Sequence, residues 1–65
     1  MRNHYFADRY VKTTELETLS LDIEHVALDR YLYHVTGPNG GGAAGMTDHD
    51  GMATIVATGW RPVAQ

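Results

Sequence analysis

Apolar and polar positions alternate strictly in some stretches of this chain and cluster in others, and the two patterns compete over its centre. Residues 4–12, His-Tyr-Phe-Ala-Asp-Arg-Tyr-Val-Lys, are rich in aromatics and predict a short strand, interrupted by Ala7 and Asp8. Residues 16–35 are leucine-rich and contain neither glycine nor proline. Thr14 followed by Glu17 has the form of a capping box: the hydroxyl accepts from a free helix N–H while the carboxylate reaches back. Glu15 and Glu17 also suit the positive end of a helix dipole. Thr36-Gly37-Pro38 supplies a stop, with glycine after the last turn and proline preventing continuation. These start and stop signals predict one central helix over about 15–35.

The competing pattern is strand periodicity. Leu19-Ser20-Leu21-Asp22-Ile23-Glu24 alternates apolar with polar, and Tyr31, Tyr33 and Val35 do so again. A helix over this segment would be apolar around most of its circumference, with a polar strip of Thr18, Asp22, His25 and Asp29. Residues 37–51 hold six of the seven glycines and read as a loop. Met52-Ala53-Thr54-Ile55-Val56-Ala57-Thr58-Gly59-Trp60 is rich in β-formers and predicts a final strand, ended by Arg61-Pro62. The expected architecture is a single small α+β domain over 1–65: strand 4–12, helix 15–35, glycine-rich loop 37–51, strand 52–60. An all-β arrangement of four short strands is the alternative.

His4 to Val11 aligns without gaps on His25 to Leu32, with four identical positions and four apolar in both copies. Coincidence accounts for this echo more simply than duplication. As a true repeat it would place two Asp-Arg pairs in similar settings, able to form matching salt bridges or partner contacts, and would count against the long helix.

Composition narrows the function classes. Sixty-five residues, 43% apolar and 20% charged, make one globular domain with neither the profile of a disordered tail nor an apolar run long enough to span a membrane. A charge precedes any apolar run at the start, so no secretory signal is expected, and the expected location is the cytoplasm or an assembled particle. The absence of cysteine removes disulfides and thiolate zinc sites. A chain this short then relies on a tightly packed miniature core, a histidine/carboxylate metal site, or a partner. A net charge of −3, with one lysine and four scattered arginines, offers no footprint for a nucleic-acid backbone.

Three patches suggest chemistry. Gly37-Pro38-Asn39-Gly40-Gly41-Gly42-Ala43-Ala44 resembles the phosphate loop of ABC-type ATPases over eight residues. Ala43 and Ala44 stand where that family's lysine and Ser/Thr belong, so nothing balances the terminal phosphates or ligates magnesium. A flexible or partner-moulded loop is the simpler reading. Thr47-Asp48-His49-Asp50-Gly51 has the opening of a calcium loop without its later acid, since Ala57 occupies that place. Asp48, His49 and Asp50 remain weak candidates for a transition metal, with His4, His25 or His34 brought in from elsewhere. The bland alternative is an Asp-rich turn whose carboxylates cap backbone amides. Ser20, the only serine, would need His25 or His34 beside it to act as a nucleophile. No catalytic residue and no cofactor are expected.

The aromatic residues serve as core or as binding anchors, roles that Tyr, Trp and Arg share in protein interfaces. Tyr10, Arg30, Tyr31, Tyr33, Trp60 and Arg61 are the candidate partner-binding residues. The expected function is a non-enzymatic protein-binding module, an accessory or structural subunit of a larger bacterial or phage assembly, with self-association as one form. On that reading, Trp60→Ala or loss of residues 61–65 weakens association and leaves most of the fold. A free-standing inhibitor or regulator of a protein target is the second hypothesis. A small metal-binding domain using His49 with Asp48 or Asp50 is the third.

Overall fold

A computed structural model of the chain describes residues 5–63. Five strands, β1 (Arg9–Thr13), β2 (Thr18–Ala27), β3 (Arg30–Thr36), β4 (Gly42–Thr47) and β5 (Arg61–Pro62), form one antiparallel sheet in the order β4-β3-β2-β1-β5. One short helix, α1 (His49–Val56), lies between β4 and β5 in sequence. This overturns the long central helix. Most of this segment forms two paired strands, Thr18–Ala27 and Arg30–Thr36, closer to the all-β alternative, and the periodicity of Leu19–Glu24 reports their true state. Leu21 and Ile23 are buried on one face while Glu24 is exposed on the other.

The signals that suggested a helix start are real but serve a turn. The Thr14 hydroxyl accepts from the backbone N–H of Leu16 at 3.2 Å and of Glu17 at 3.1 Å, while the Thr14 N–H donates to the Glu17 carbonyl at 2.8 Å. The hydroxyl satisfies the same amides it would cap in a helix, and closes the β1–β2 hairpin instead. The segment then turns again at Leu28-Asp29. Asp29 takes a left-handed conformation (φ 56), which aspartate tolerates better than most residues, and a register shift lies between His25 and Ala27.

The glycine-rich segment is a loop only over 37–41; from Gly42 it becomes a strand. Small residues are required there by what lies beside them. A Cβ at Gly45 would overlap the Tyr33 hydroxyl, and one at Gly42 would overlap the carbonyl oxygen of Val35. The Tyr33 ring thus lies across Gly45, giving a strand of poor intrinsic propensity the cross-strand contact it lacks.

The final strand expected at 52–60 is also corrected. Asp48 caps α1, its carboxylate accepting from the Gly51 N–H at 2.8 Å, so the aspartate does cap an amide, but ahead of a helix. Thr54 and Thr58, β-formers by propensity, donate their hydroxyls back to the Asp50 and Ile55 carbonyls at 2.9 and 2.6 Å. Met52, Ile55 and Val56 follow helical spacing and face the sheet. Ala57 caps the helix, its N–H donating to the Ala53 carbonyl, and Gly59, at φ 97, turns the chain toward β5.

The core sits on one face of the sheet. Tyr10, Leu21, Ile23, Tyr31 and Met52 are buried, and Phe6, Ala7, Tyr33, Val35, Ile55, Val56 and Trp60 pack around them. Tyr10 satisfies its hydroxyl by accepting from the Ala7 N–H at 3.0 Å. The opposite face is open and carries Arg9 paired with Asp22 at 2.7 Å. Both side chains are solvent-exposed, so the pair contributes less than about 1 kcal/mol. The sequence echo survives as one local feature: Arg9 and Arg30 each open a strand, and the tyrosine after each is buried. Matching salt bridges do not follow, for no ion pair of Arg30 is present among the described residues.

Candidate functional site

The hairpin that turns at Leu28-Asp29 brings the ends of β2 and β3 beside the start of α1, and the segment before β1 crosses the same end. Between them lies an open groove of about 310 Å³, lined by Tyr5, His25, Leu28, Asp29, Tyr31 and His49. Its base is a cluster of rings centred on Tyr31. The His25 ring stacks on it at 4.5 Å and 11°, and Phe6 meets it edge-on at 5.2 Å. His49 bridges outward, with its ring 5.2 Å from Phe6 and 5.0 Å from Tyr5. The backbone locks this arrangement: the His49 N–H donates to the Asp29 carboxylate at 2.9 Å, tying the helix start to the hairpin turn. The rim is apolar and exposed, with Leu28 at 87% and Tyr5 at 70%.

Burial pushes the Tyr31 hydroxyl above the ordinary tyrosine range, reinforced by the nearby Tyr5 and Asp29. In the unfolded chain this phenol ionises near 10, and in the folded protein it ionises higher. The stability tied to its protonated form is therefore complete below pH about 10 and is lost as pH rises through the folded value. Alkaline unfolding followed by circular dichroism is expected to move to higher pH in Tyr31→Phe. An unchanged transition would show that this phenol carries no such linkage.

The residues singled out as partner anchors do not assemble into one surface. Tyr10 and Tyr31 are buried in the core at 6% and 2% exposure, and Tyr33 is half-buried over Gly45. Arg30 is exposed at the start of β3, and Arg61 is exposed in β5 at the far edge of the sheet. Trp60 packs against the core and receives Lys12 Nζ 4.7 Å from its ring centroid. Arg61 and Pro62 pair with Val11 and Tyr10, and the Val63 N–H donates to the Arg9 carbonyl. Removing Trp60 or residues 61–63 therefore takes away contacts with the core and with β1 as well as any contact with a partner; residues 64–65 lie outside the described residues.

The candidate metal ligands are dispersed by their structural duties. Asp48 is the helix cap, the Asp50 side chain is fully exposed, and His49 Nδ1 lies 3.8 Å from Asp50 Oδ1 while its ring packs among aromatics. Among the described residues no group of three His, Asp or Glu side chains is placed to hold a metal ion. His4 lies outside the described residues. Ser20 and His25 sit at positions of opposite parity in β2 and so point to opposite faces. No hydrogen bond joins Ser20 to His34 among the described residues. No described helix is long and apolar enough to cross a membrane.

Sequence reasoning missed Tyr5, His25, Leu28 and Asp29 as parts of one site. The available signal was Leu28-Asp29 standing between two alternating runs, which marks a hairpin turn once the helix is set aside. No family model, no curated protein and no solved structure matches this chain.

Proposed function

We propose that this chain is a non-enzymatic protein-binding module, an accessory or structural subunit of a larger assembly, and that a partner engages the groove at the Leu28–Asp29 turn. One observation carries the reading: a leucine occupies a hairpin-tip position where Gly, Asn or Asp would be favoured, and stands 87% exposed beside an aromatic groove. Exposed apolar residues scattered singly need no explanation, whereas one at a tight turn, next to Tyr5 and over a locked ring cluster, has the character of an interface anchor. Among the described residues the groove is lined by two histidines, two tyrosines, Leu28 and one carboxylate, Asp29, whose oxygen is engaged by the His49 N–H.

A photo-crosslinking residue placed at Leu28 in the source cells should yield a discrete adduct with one protein, and Tyr5→Ala should abolish it. The same label at exposed Thr13 should not yield it. An adduct pattern identical from both positions, or none from Leu28, refutes the groove as a docking site.

A further inference from the structure

The two edges of the sheet are built differently. The β5 edge is two residues long and carries Arg61 and Pro62, a charge and a residue that cannot donate a backbone bond. Charge, proline and brevity are the means by which edge strands are kept from pairing with other chains. The β4 edge has none of them. It runs six residues, Gly-Ala-Ala-Gly-Met-Thr, without charge or proline, and Gly42, Ala43, Ala44 and Met46 are exposed. Among the described residues, no backbone hydrogen bond ties it to anything but β3 and its own helix junction.

We propose that β4 pairs antiparallel with β4 of a second copy of this chain, joining the two five-stranded sheets into one. Three observations select that occupant. The first is charge. Asp29, Asp48 and Asp50 gather, with Arg30 among them, at the end of β4 that leads into α1, while loop residues 37–41 at its other end carry no charge and adjoin one acid, Glu17. In a chain of net charge −3, antiparallel pairing sets the acidic end of each copy beside the uncharged loop of the other. Parallel pairing would set acid on acid.

The second observation is shape. Opposed residues in an antiparallel pair share a face, so a continuous sheet face requires even-numbered residues to meet even-numbered ones. Within that parity, the registers centred on Ala44 or Gly45 set Met46 of one copy opposite Gly42 or Ala44 of the other, a long side chain against a small one. Leu32, paired with Met46 across β3–β4 and 38% exposed, extends the same apolar strip.

The third is the absence of features that would read a foreign sequence. Added strands are selected by pockets for alternate side chains, and the grooves formed among the described residues at the Leu28 turn, the β1–β5 edge, the open face and loop 37–41 are lined by residues outside β4. A featureless edge recognises backbone alone, and the strand always present at matching concentration is its own copy. Standard interfaces bury about 800 Å² per partner, about a sixth of the 4593 Å² of this chain's surface. A six-residue edge with Met46 and Leu32 covers less, so the pair is reversible, dissociating in the micromolar range or above.

Sedimentation velocity from about 10 µM to about 1 mM, the span over which a weak interface fills, tests this directly. The wild-type weight-average mass is expected to rise from 7.2 kDa toward twice that value and no further. Ala44→Lys, a charge on the exposed edge, should stay at 7.2 kDa with an unchanged circular dichroism spectrum, and Met46→Lys should do the same if Ala44→Lys fails to fold. Leu28→Ser, which alters the groove alone, should dimerise as the wild type does. A wild type that remains at 7.2 kDa throughout, a mass that climbs past twice that figure, or a dimer that survives both lysine variants overturns the proposal. So does loss of the dimer in Leu28→Ser, which would move self-association to the groove. The groove and the edge adjoin only at the Asp29 end of β4, and the Leu28→Ser and lysine variants tell failure of one reading from failure of the other.

Discussion

Leu21→Ala is expected to lower the thermal midpoint by about 12–24 °C, which leaves a large fraction of the chain unfolded near body temperature. Leu21 is fully buried at the centre of β2, opposite Tyr10 on one side and Val35 on the other. Its removal costs the transfer of the side chain and leaves a cavity that the flanking Tyr10 and Val35 cannot fill without leaving their rotamers, about 3 kcal/mol together. A chain of 65 residues has a total stability of about 3–10 kcal/mol, so one side chain carries a large share of it. Leu16→Ala is the matched control. Leu16 is 93% exposed in the β1–β2 turn, and its replacement should move the midpoint by less than about 3 °C. Equal shifts in the two variants would place the core elsewhere than on this face.

The second large effect is expected from a single methyl group. Gly42→Ala should destabilise the protein by about 2 kcal/mol, because the new Cβ would overlap the Val35 carbonyl oxygen and lie 3.1 Å from its carbon. That neighbour is backbone, so relief requires β3 and β4 to part at their first pair, Thr36 with Gly42. Gly41→Ala, one residue earlier, meets nothing within 4 Å and has no positive φ. It should be neutral or stabilise by up to about 1 kcal/mol, by narrowing the unfolded ensemble. Chemical denaturation of both variants, with hydrogen exchange of the β4 amides, separates the two cases. Identical stabilities would mean that β4 does not sit in this register.

The two effects also bear on the surfaces. Gly42 and Gly45 let β4 lie close against the Val35 carbonyl and the Tyr33 ring of β3. A loosened β4 would disturb the Asp29–His49 tie at its far end, where the groove begins. Edge and groove are thus held by the same strand, although they adjoin only at its Asp29 end.

Much of the strand content was legible from residues 19–24 and 31–35, where alternation matched the later burial at Leu21, Ile23 and Tyr31. The helix expected there came from giving Thr14 and Gly37-Pro38 more weight than that alternation. Both signals are local: a threonine hydroxyl that accepts from amides two and three residues on serves a hairpin as well as a helix. The groove was less legible, because Tyr5, Leu28 and His49 are far apart in sequence and meet only through the hairpin.

By itself the sequence determined the alternation of β2 and β3, the Asp-rich segment at 47–51 whose carboxylates cap amides, and the absence of any disulfide. Each rests on chemistry within a few residues. The tertiary structure alone decided that Gly42–Thr47 is a strand, since its propensity is poor and the Tyr33 ring over Gly45 compensates. It alone decided that residues 49–56 are a helix, because the sheet needs a covering apolar face and Met52 supplies its centre. It also divided the tyrosines, placing Tyr10 and Tyr31 inside and Tyr5 at the rim. An aromatic side chain fits either setting, and only the packing of the rest of the chain selects one.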